Sequence, residues 1–333
     1  LDAAGGDLPL VFEGEDGTDA PTTRVLQITQ ARQTFRFVGV DAEPLPSLNR
    51  GFSAPVIWDA GYSDGDRARL MAGDTDPFAR WEAGQQYGAK VLLGMIAEIQ
   101  KNGDPVPDPA IISAIGAILG DRYLDRATIA HSIVLPGEGY LAEQMKVVDV
   151  VAIHTARDTL RRAIAKTLRD DLLQTYHANQ SNERYSPDAL SAGRRALKNT
   201  ALAYLATLED PAMLDLVRDQ YQTADNMTDI VGALAVLNNL DVPARTEALD
   251  DFFERFHRDA LVVEKWLSLQ AMTQLPGALD TVKNLMEHEA FSIRNPNKVR
   301  ALIGGFAMGN PLAFHAADGS GYTFLADRVI ELD

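Results

Sequence analysis

The stretch DPFARWEAGQQYGAKVLLGMIAEI, residues 76–99, is the part of the sequence that decides the fold. It begins with Asp76-Pro77, which pairs a side-chain acceptor for free backbone N–H groups with a proline at the first helical position. Apolar or small side chains then recur at helical spacing, as on one face of a helix. They are Trp81, Gly88, Leu92, Met95 and Ile99. This pattern predicts a long amphipathic helix.

Helix signals of the same kind continue from about residue 65 to the end of the sequence. The start signal returns at Asp108-Pro109, Ser186-Pro187 and Asp210-Pro211. Apolar stripes follow at Leu160, Ile164, Leu168 and Leu172 on one predicted helix, at Leu190, Leu197, Tyr204 and Leu208 on another, and then at Leu249, Phe252, Phe256, Val262, Trp266 and Leu269. The side of the first stripe predicted to face solvent carries Arg161, Arg162, Arg169 and Asp170. Many helices with short links predict a mainly α fold, an α-solenoid of stacked antiparallel helix pairs, although no repeat of fixed period is legible.

The first 60 or so residues carry β signals instead. Residues 8–12, 25–29 and 34–38 are rich in apolar, β-branched and aromatic side chains, and Phe35 and Phe37 fall on one face of a strand. So few strands cannot enclose a core of their own. We therefore predict a partial, Ig-like β-sandwich domain over residues 1–62, packed on an α-helical domain over residues 63–333.

Composition excludes several classes of function. Of the 333 residues, 46% are hydrophobic and 23% charged, as expected for a packed core. The net charge of −16 argues against nucleic acid and anionic membranes as partners, because their phosphates are repelled. The sequence has no cysteine, which excludes disulfides, thiolate zinc sites and a cysteine nucleophile and fits a cytoplasmic protein. No stretch approaches the roughly 20 apolar residues that a bilayer span needs.

Several segments together resemble the C-terminal region of bacterial aminopeptidase N, a family of zinc metallopeptidases. They are SLNRGFSAPV at residues 47–56, NMTD at 226–229, EKW at 264–266, NPNKVRALIGGF at 295–306 and FHAADGSGY at 314–322. The resemblance runs from about residue 8 to the end. It implies an array of helix pairs that closes over a catalytic domain. Because the match starts inside the β segment and no initiator methionine is present, we expect a fragment of a longer polypeptide, cut at both ends.

The residues that perform this family's chemistry are missing from the sequence. The family needs His-Glu-x-x-His on a helix, where two imidazoles four residues apart bind one zinc ion and the glutamate activates water. The nearest match, His288-Glu289-Ala290-Phe291-Ser292, ends in serine, so we interpret His288 as a solvated histidine at a helix end. Residues 284–288 likewise lack the glycine and the final asparagine of the family's Gly-x-Met-Glu-Asn motif. We therefore predict no catalytic or metal-binding residue in this chain, with zinc confined to the missing catalytic domain.

Arg300 and Asn297 are the candidates for a site that faces substrate. Asn295 and Pro296 are predicted to begin a helix, which places Arg300 about one turn into it. The resemblance implies that Arg300 projects into the enclosed cavity, where its cation would draw a carboxylate or a carbonyl of a bound peptide. The alternative is an ion pair between Arg300 and a carboxylate on a neighbouring helix.

Other polar or aromatic residues in the matching segments have simpler interpretations. Asn226 and Asp229 are predicted to cap a helix. Trp81 and Trp266 are predicted to lie in the core. Inter-helix ion pairs are predicted for Arg80, Glu264 and Lys265, and Gly319-Ser320-Gly321 is predicted to be a tight turn between helices rather than a phosphate loop.

Three functional hypotheses follow from the sequence. The first is the C-terminal segment of an aminopeptidase N, which caps and gates the active-site cavity of the catalytic domain, admits peptides and is inactive alone. The second is a free-standing α-solenoid that binds protein partners on its concave face. A degenerate peptidase with residual activity is a weak third, because no metal-ligand pattern remains in the sequence.

Overall fold

The computed structural model describes residues 1–181 and 183–332. The strands within them are β1 Val11–Phe12 and β2 Phe37–Val38. The helices are α1 Asp64–Gly73, α2 Pro77–Gln100, α3 Pro109–Leu119, α4 Arg126–Ser132, α5 Glu138–Glu143, α6 Val150–Thr167, α7 Arg169–Ala178, α8 Ala189–Leu205, α9 Pro211–Thr223, α10 Met227–Leu237, α11 Pro243–Phe256, α12 Ala260–Ala271, α13 Ala278–Met286, α14 Pro296–Val299, α15 Gly305–Gly309, α16 Pro311–Phe314 and α17 Ser320–Leu332. A π-helix, Arg300–Gly304, joins α14 to α15, and short 3-10 helices occupy Arg50–Phe52 and Ala206–Leu208.

The N-terminal segment contains less β-structure than its sequence predicts. β1 and β2 pair antiparallel, with Val11 opposite Val38 and Phe12 opposite Phe37. The rings of Phe12 and Phe37 stack at 4.8 Å. The strand predicted at residues 25–29 is absent, since the whole stretch is extended chain without ladder bonds. Val25 and Ile28 lie in solvent and Leu26 is half-buried, so the content of β-branched and apolar residues was not sufficient to form a strand there.

The predicted start of the helical part is confirmed. α1 begins at Asp64 behind a capping box formed by Ser63 and Asp66, and no strand follows β2 in the described residues. Asp76, Asp108 and Asp210 each cap a helix whose first residue is proline. The start predicted at Ser186-Pro187 is wrong, because α8 begins two residues later. The carboxylate of Asp188 accepts the backbone N–H of Ser191 at 2.9 Å and is the actual cap.

The stripe from Leu160 to Leu172 lies on two helices rather than on one. The backbone leaves helical geometry at Leu168, with φ −105° and ψ 25°, which ends α6 and begins α7. The four leucine and isoleucine side chains are nevertheless all buried. The break turns α7 towards α8. As a result, α6 and α7 bury their apolar faces against different neighbours. On α8 the predicted stripe holds at Leu197 and Tyr204 but not at Leu190, which is exposed.

The helices stack as predicted for a solenoid, some on their neighbours in the chain and others on helices four places away. α2 packs on α1 and α6, α8 packs on α4, α7 and α10, and α12 packs on α11, α13 and the π-helix. α16 also contacts α6, so the array curves back towards its earlier layers. The largest fully buried side chains, Tyr87, Tyr176, Phe252 and Phe306, come from well-separated helices and belong to one continuous core. In the described part of the chain, no helix combines the length and apolar character of a bilayer span.

Arg50 ties the N-terminal segment to the helical part. Its Nη2 donates to Asp7 Oδ1 at 2.6 Å and to Asp74 Oδ1 at 3.1 Å. Asp74 is the residue that ends α1, and it is fully buried. The arginine therefore joins two stretches of chain that are far apart in sequence.

Candidate functional site

Arg300 lies on the helix that begins with the predicted Asn295-Pro296 signal. The side-chain oxygen of Asn295 accepts the backbone N–H groups of Asn297 at 3.0 Å and of Lys298 at 3.3 Å, and Pro296 is the first helical residue. The predicted cap is therefore confirmed. It fixes the direction of the helix and places Arg300 one turn from its start.

The backbone changes from α- to π-helical geometry at Arg300, which nothing in the sequence analysis predicted. The π-helix runs from Arg300 to Gly304, and its Leu302 and Ile303 are buried while Arg300 is exposed. π-Helical turns hold one extra residue and occur often at functional sites. The packing of the turn on α12 and α13 accounts for its buried side.

Arg300 and Asn297 are brought together by the structure. Arg300 Nη1 donates to Asn297 Oδ1 at 3.4 Å, and both side chains are exposed. Within residues 1–181 and 183–332, Arg300 forms no ion pair with a carboxylate, so the alternative of a pair to a neighbouring helix finds no partner there. Its guanidinium keeps N–H donors for another group. That this group is a substrate stays a prediction.

His288 lies at a helix end, as predicted, but it is half-buried rather than fully solvated. It follows the end of α13, and its ring packs against Phe253 at 4.9 Å and Trp266 at 5.2 Å. Its Nδ1 accepts the backbone N–H of Ala290 at 3.1 Å. The ring is therefore part of an aromatic cluster that joins α11 and α12.

The residues of this chain do not fit a zinc site of the family's kind. His288 to Ser292 lie in a turn rather than on a helix, so they cannot present two ligands on one helical face. Among the described residues, no three His, Asp or Glu side chains are grouped so that they could hold a metal ion. The described residues therefore supply no zinc ligands of that kind.

Asn226 caps α10, as predicted, and Asp229 has a further role. Asn226 Oδ1 accepts the backbone N–H of Asp229 at 3.0 Å. The buried Asp229 carboxylate accepts from Lys198 Nζ at 2.8 Å and from Asn199 Nδ2 at 3.1 Å. This segment therefore locks α10 onto α8, which is a structural function.

The remaining matched residues are also mainly structural. Trp266 is buried, and its indole N–H donates to the Leu249 carbonyl at 2.9 Å; Trp81 is half-buried. Arg80 is buried and forms an ion pair, but with Asp121 in the link after α3, at 2.8 Å, rather than with a residue of another helix. In the part of the chain that the structure describes, Glu264 and Lys265 form no ion pair, so that prediction is wrong for them.

Of the predicted turn Gly319-Ser320-Gly321, only Gly319 lies in the link between α16 and α17, and the other two residues begin α17. Gly319 has a φ of +73°, in the region that favours glycine, and α17 begins at Ser320. A Cβ on Gly321 would lie 2.1 Å from the Phe314 carbonyl oxygen, so only glycine fits there. This close approach lets α17 pack directly on α16.

A concave cavity of about 530 Å³ lies between α6, α8 and α10, and it was missed by the sequence analysis. Three arginines and two carboxylates line it, so the formal charge of its wall is positive. They are Arg157, Arg161, Arg162, Asp158 and Glu209. The prediction that Arg161 faces open solvent is wrong, because the curvature of the array turns this side of α6 into a cavity wall.

The charged groups of this cavity fall into two sets. Arg162 pairs with Glu209 at 2.8 Å and lies 3.8 Å from Asp158. Arg157 instead donates from Nε to the Pro136 carbonyl at 2.8 Å, and Arg161 donates from Nη2 to the Ala203 carbonyl at 3.1 Å. Burial and the nearby Arg161 cation lower the pKa of Arg157.

Tyr204 forms part of the same wall. Its hydroxyl donates to the Ile133 carbonyl at 2.5 Å, and burial raises its pKa to about 12. The tyrosine is therefore a neutral, fixed part of the cavity.

Two sequence families match this chain. Residues 64–333 match the domain of unknown function DUF3458_C, described as ARM repeats, and residues 7–61 match the domain of unknown function DUF3458, described as an Ig-like fold. The first match covers most of the chain and agrees with the stacked helices of the structure.

Curated relatives and a solved structure extend this similarity. The chain is 37% identical over 314 residues, 94% of its length, to aminopeptidase N of Escherichia coli (strain K12), and 37% identical over 320 residues, 96% of its length, to aminopeptidase N of Caulobacter vibrioides. It spans 36% of the length of each of these relatives. It also resembles the crystal structure of Legionella pneumophila aminopeptidase A in complex with aspartic acid, at 30% identity and a TM-score of 0.78, over 89% of this chain and 35% of that one.

Proposed function

The chain belongs to the DUF3458_C family of ARM-repeat domains and is homologous to the C-terminal region of aminopeptidase N, and on this basis we propose that it serves as the helical part of a zinc-dependent aminopeptidase N. Such an enzyme removes N-terminal residues from peptides. In this proposal the chain covers and gates the active-site cavity and supplies no catalytic group. The observation that carries it is the 37% identity to E. coli aminopeptidase N over 94% of the chain.

The proposed partner is a catalytic domain in the same polypeptide, and the N-terminal segment is suited to contact it. Several apolar side chains of this segment lie in solvent, and an adjoining domain would remove them from water. They are Val25, Ile28, Phe52, Val56 and Ile57. The zinc ligands belong, in this proposal, to that other domain of a cytoplasmic enzyme.

Arg300 and Asn297 are the proposed points of contact with peptide substrates. Both are exposed, and Asn297 accepts one N–H of the guanidinium at 3.4 Å, which leaves Arg300 with further N–H donors. A carboxylate or carbonyl of a peptide is the kind of acceptor that a planar guanidinium binds well. The cation therefore suits the recognition of peptides long enough to reach beyond the reacting bond.

The proposal is tested by producing this chain and the catalytic part of the same polypeptide separately and then mixing them. We expect the chain alone to bind no stoichiometric zinc and to hydrolyse no aminoacyl substrate. We expect the two parts to co-elute, and the complex to cleave short peptides while it rejects an unfolded protein that the catalytic part alone attacks. Size-exclusion chromatography, metal analysis and a substrate-length profile measure these outcomes.

Two results would contradict the proposal. Zinc retained by this chain after dialysis, with turnover that survives repurification, would mean that it has a metal site of its own. Failure of the two parts to associate, with the same length profile in their presence and absence, would favour the free-standing solenoid.

A further inference from the structure

Arg157 and Arg161 lie one helical turn apart on α6 and face the same cavity. Side chains four residues apart on a helix are neighbours, so the two like charges act on each other. Arginine remains protonated in proteins, which means that both positive charges persist at the cavity wall.

The carbonyl groups that accept from these arginines are neutral, so these hydrogen bonds do not form ion pairs. Arg157 donates to the Pro136 and Leu135 carbonyls, and Arg161 donates to the Ala203 carbonyl. Among residues 1–181 and 183–332, neither arginine forms an ion pair with a carboxylate. A partly buried cation without a counter-charge is costly, and an anion in the cavity would remove that cost.

The acidic groups nearby are already engaged with other partners. Of the two carboxylates that line the cavity, Glu209 pairs with Arg162 at 2.8 Å and Asp158 lies 3.8 Å from the same guanidinium. Glu138, whose charge acts on Arg157, is hydrogen-bonded to His154 Nδ1 at 3.1 Å. The unpaired cations are therefore specific to Arg157 and Arg161 and are not a general feature of this cavity.

We propose that Arg157 and Arg161 form an oxyanion-binding site that takes a carboxylate or a phosphate group into the concave cavity. Each guanidinium has five N–H donors, and the carbonyl bonds use only part of them. The positive wall lies in a chain of net charge −16, so an anion that is repelled by the rest of the surface is attracted here. The cavity of about 530 Å³ has room for a small ligand.

The test measures binding of inorganic phosphate and of acetate to the whole chain by calorimetry, at constant ionic strength set with chloride. We expect saturable binding of at least one of these ions. The ion that binds more tightly identifies whether the natural group is a phosphate or a carboxylate, and either result supports the site.

Variants that change the charge equally at different places then show where the ion binds. Arg161→Gln keeps an amide donor for the Ala203 carbonyl but removes the cation, and we expect it to weaken binding about ten-fold or more. Arg218→Gln makes the same charge change on α9, outside the cavity, and should leave binding unchanged. Arg161→Lys keeps the charge without the planar fork and should bind with intermediate affinity.

If Arg161→Gln on α6 and Arg218→Gln on α9 weaken ion binding equally, the proposed site is wrong, because the effect then comes from the net charge of the protein alone. Absence of saturable binding by either ion would overturn it as well. Circular dichroism of each variant without added ion verifies that the comparison is made between folded proteins.

Discussion

Arg50 Nη2 donates to Asp74 Oδ1 at 3.1 Å, although the Asp74 side chain has no exposed surface. The other carboxylate oxygen, Oδ2, has no hydrogen-bond partner among the described residues. Asp74 therefore depends on Arg50 for its charge compensation. Because Arg50 also binds Asp7, one guanidinium links the extended N-terminal segment to the end of the first helix.

Replacement of Arg50 by alanine should lower the free energy of unfolding by about 3–5 kcal/mol, because it leaves the Asp74 carboxylate buried and unpaired. Urea unfolding followed by circular dichroism measures this change. Arg36→Ala is the matched control: the Arg36 pair with Glu13, at 3.9 Å, is exposed and should contribute less than about 1 kcal/mol. Equal effects of the two substitutions would contradict the role given to Arg50.

Asp7 should make the free energy of unfolding depend on pH in the acid range. The hydrogen bond from Arg50 holds the pKa of Asp7 below its usual value of 3.8. A carboxyl whose folded-state pKa is lowered stabilises the fold above the unfolded-state pKa, and this contribution is lost as pH falls through the folded-state pKa. Asp7→Asn should therefore flatten the decrease in unfolding free energy below about pH 4. An unchanged pH profile in that variant would show that Asp7 does not contribute.

Arg300→Ala in the full-length enzyme should raise KM for peptides of several residues and leave kcat on single aminoacyl reporters almost unchanged. Loss of a charge-assisted hydrogen bond should reduce kcat/KM for the longer peptides about ten-fold or more. Lys298→Ala, which removes a neighbouring cation on the same turn, is the control and should have a smaller effect. A lowered melting temperature with unchanged peptide kinetics would mean that Arg300 has a structural role and does not contact substrate.

Gly321→Ala should unfold or severely destabilise the C-terminal helices, because its Cβ would collide with the Phe314 carbonyl at 2.1 Å. Gly94→Ala is the control: Gly94 lies on an exposed face of α2 with no atom within 4 Å of the added carbon. That substitution should raise stability by roughly 0.5–1 kcal/mol, since alanine favours helix more than glycine does. Thermal unfolding of both variants measures the contrast.

The helix starts were predictable where their chemistry is local. Asp76, Asp108, Asp210 and Asn295 each bind backbone groups two or three residues ahead, so a short window of sequence contains the whole interaction. At Ser186-Pro187 the window contained two possible caps, and the stronger acceptor, Asp188, determines the start.

The break at Leu168 and the position of Arg161 in the cavity wall were not predictable from the periodicity of apolar residues. An apolar stripe continues through the break because both helices bury it, although against different neighbours. A helical wheel places Arg161 opposite the core, but it contains no information on the curvature that encloses this side of α6. The ring contacts of His288 were missed for a similar reason, since its neighbours Phe253 and Trp266 come from other helices.

The π-helix at Arg300–Gly304 should allow the chain to lose one residue there, which a regular helix would not tolerate. Each residue of an α-helix turns the chain by about 100°, so loss of the extra residue would rotate Arg300 around the axis while the buried side of the helix kept its register. A single-residue deletion here would thus re-aim the exposed cation without dismantling the core. A sequence one residue shorter at this turn would then present its arginine in a different direction.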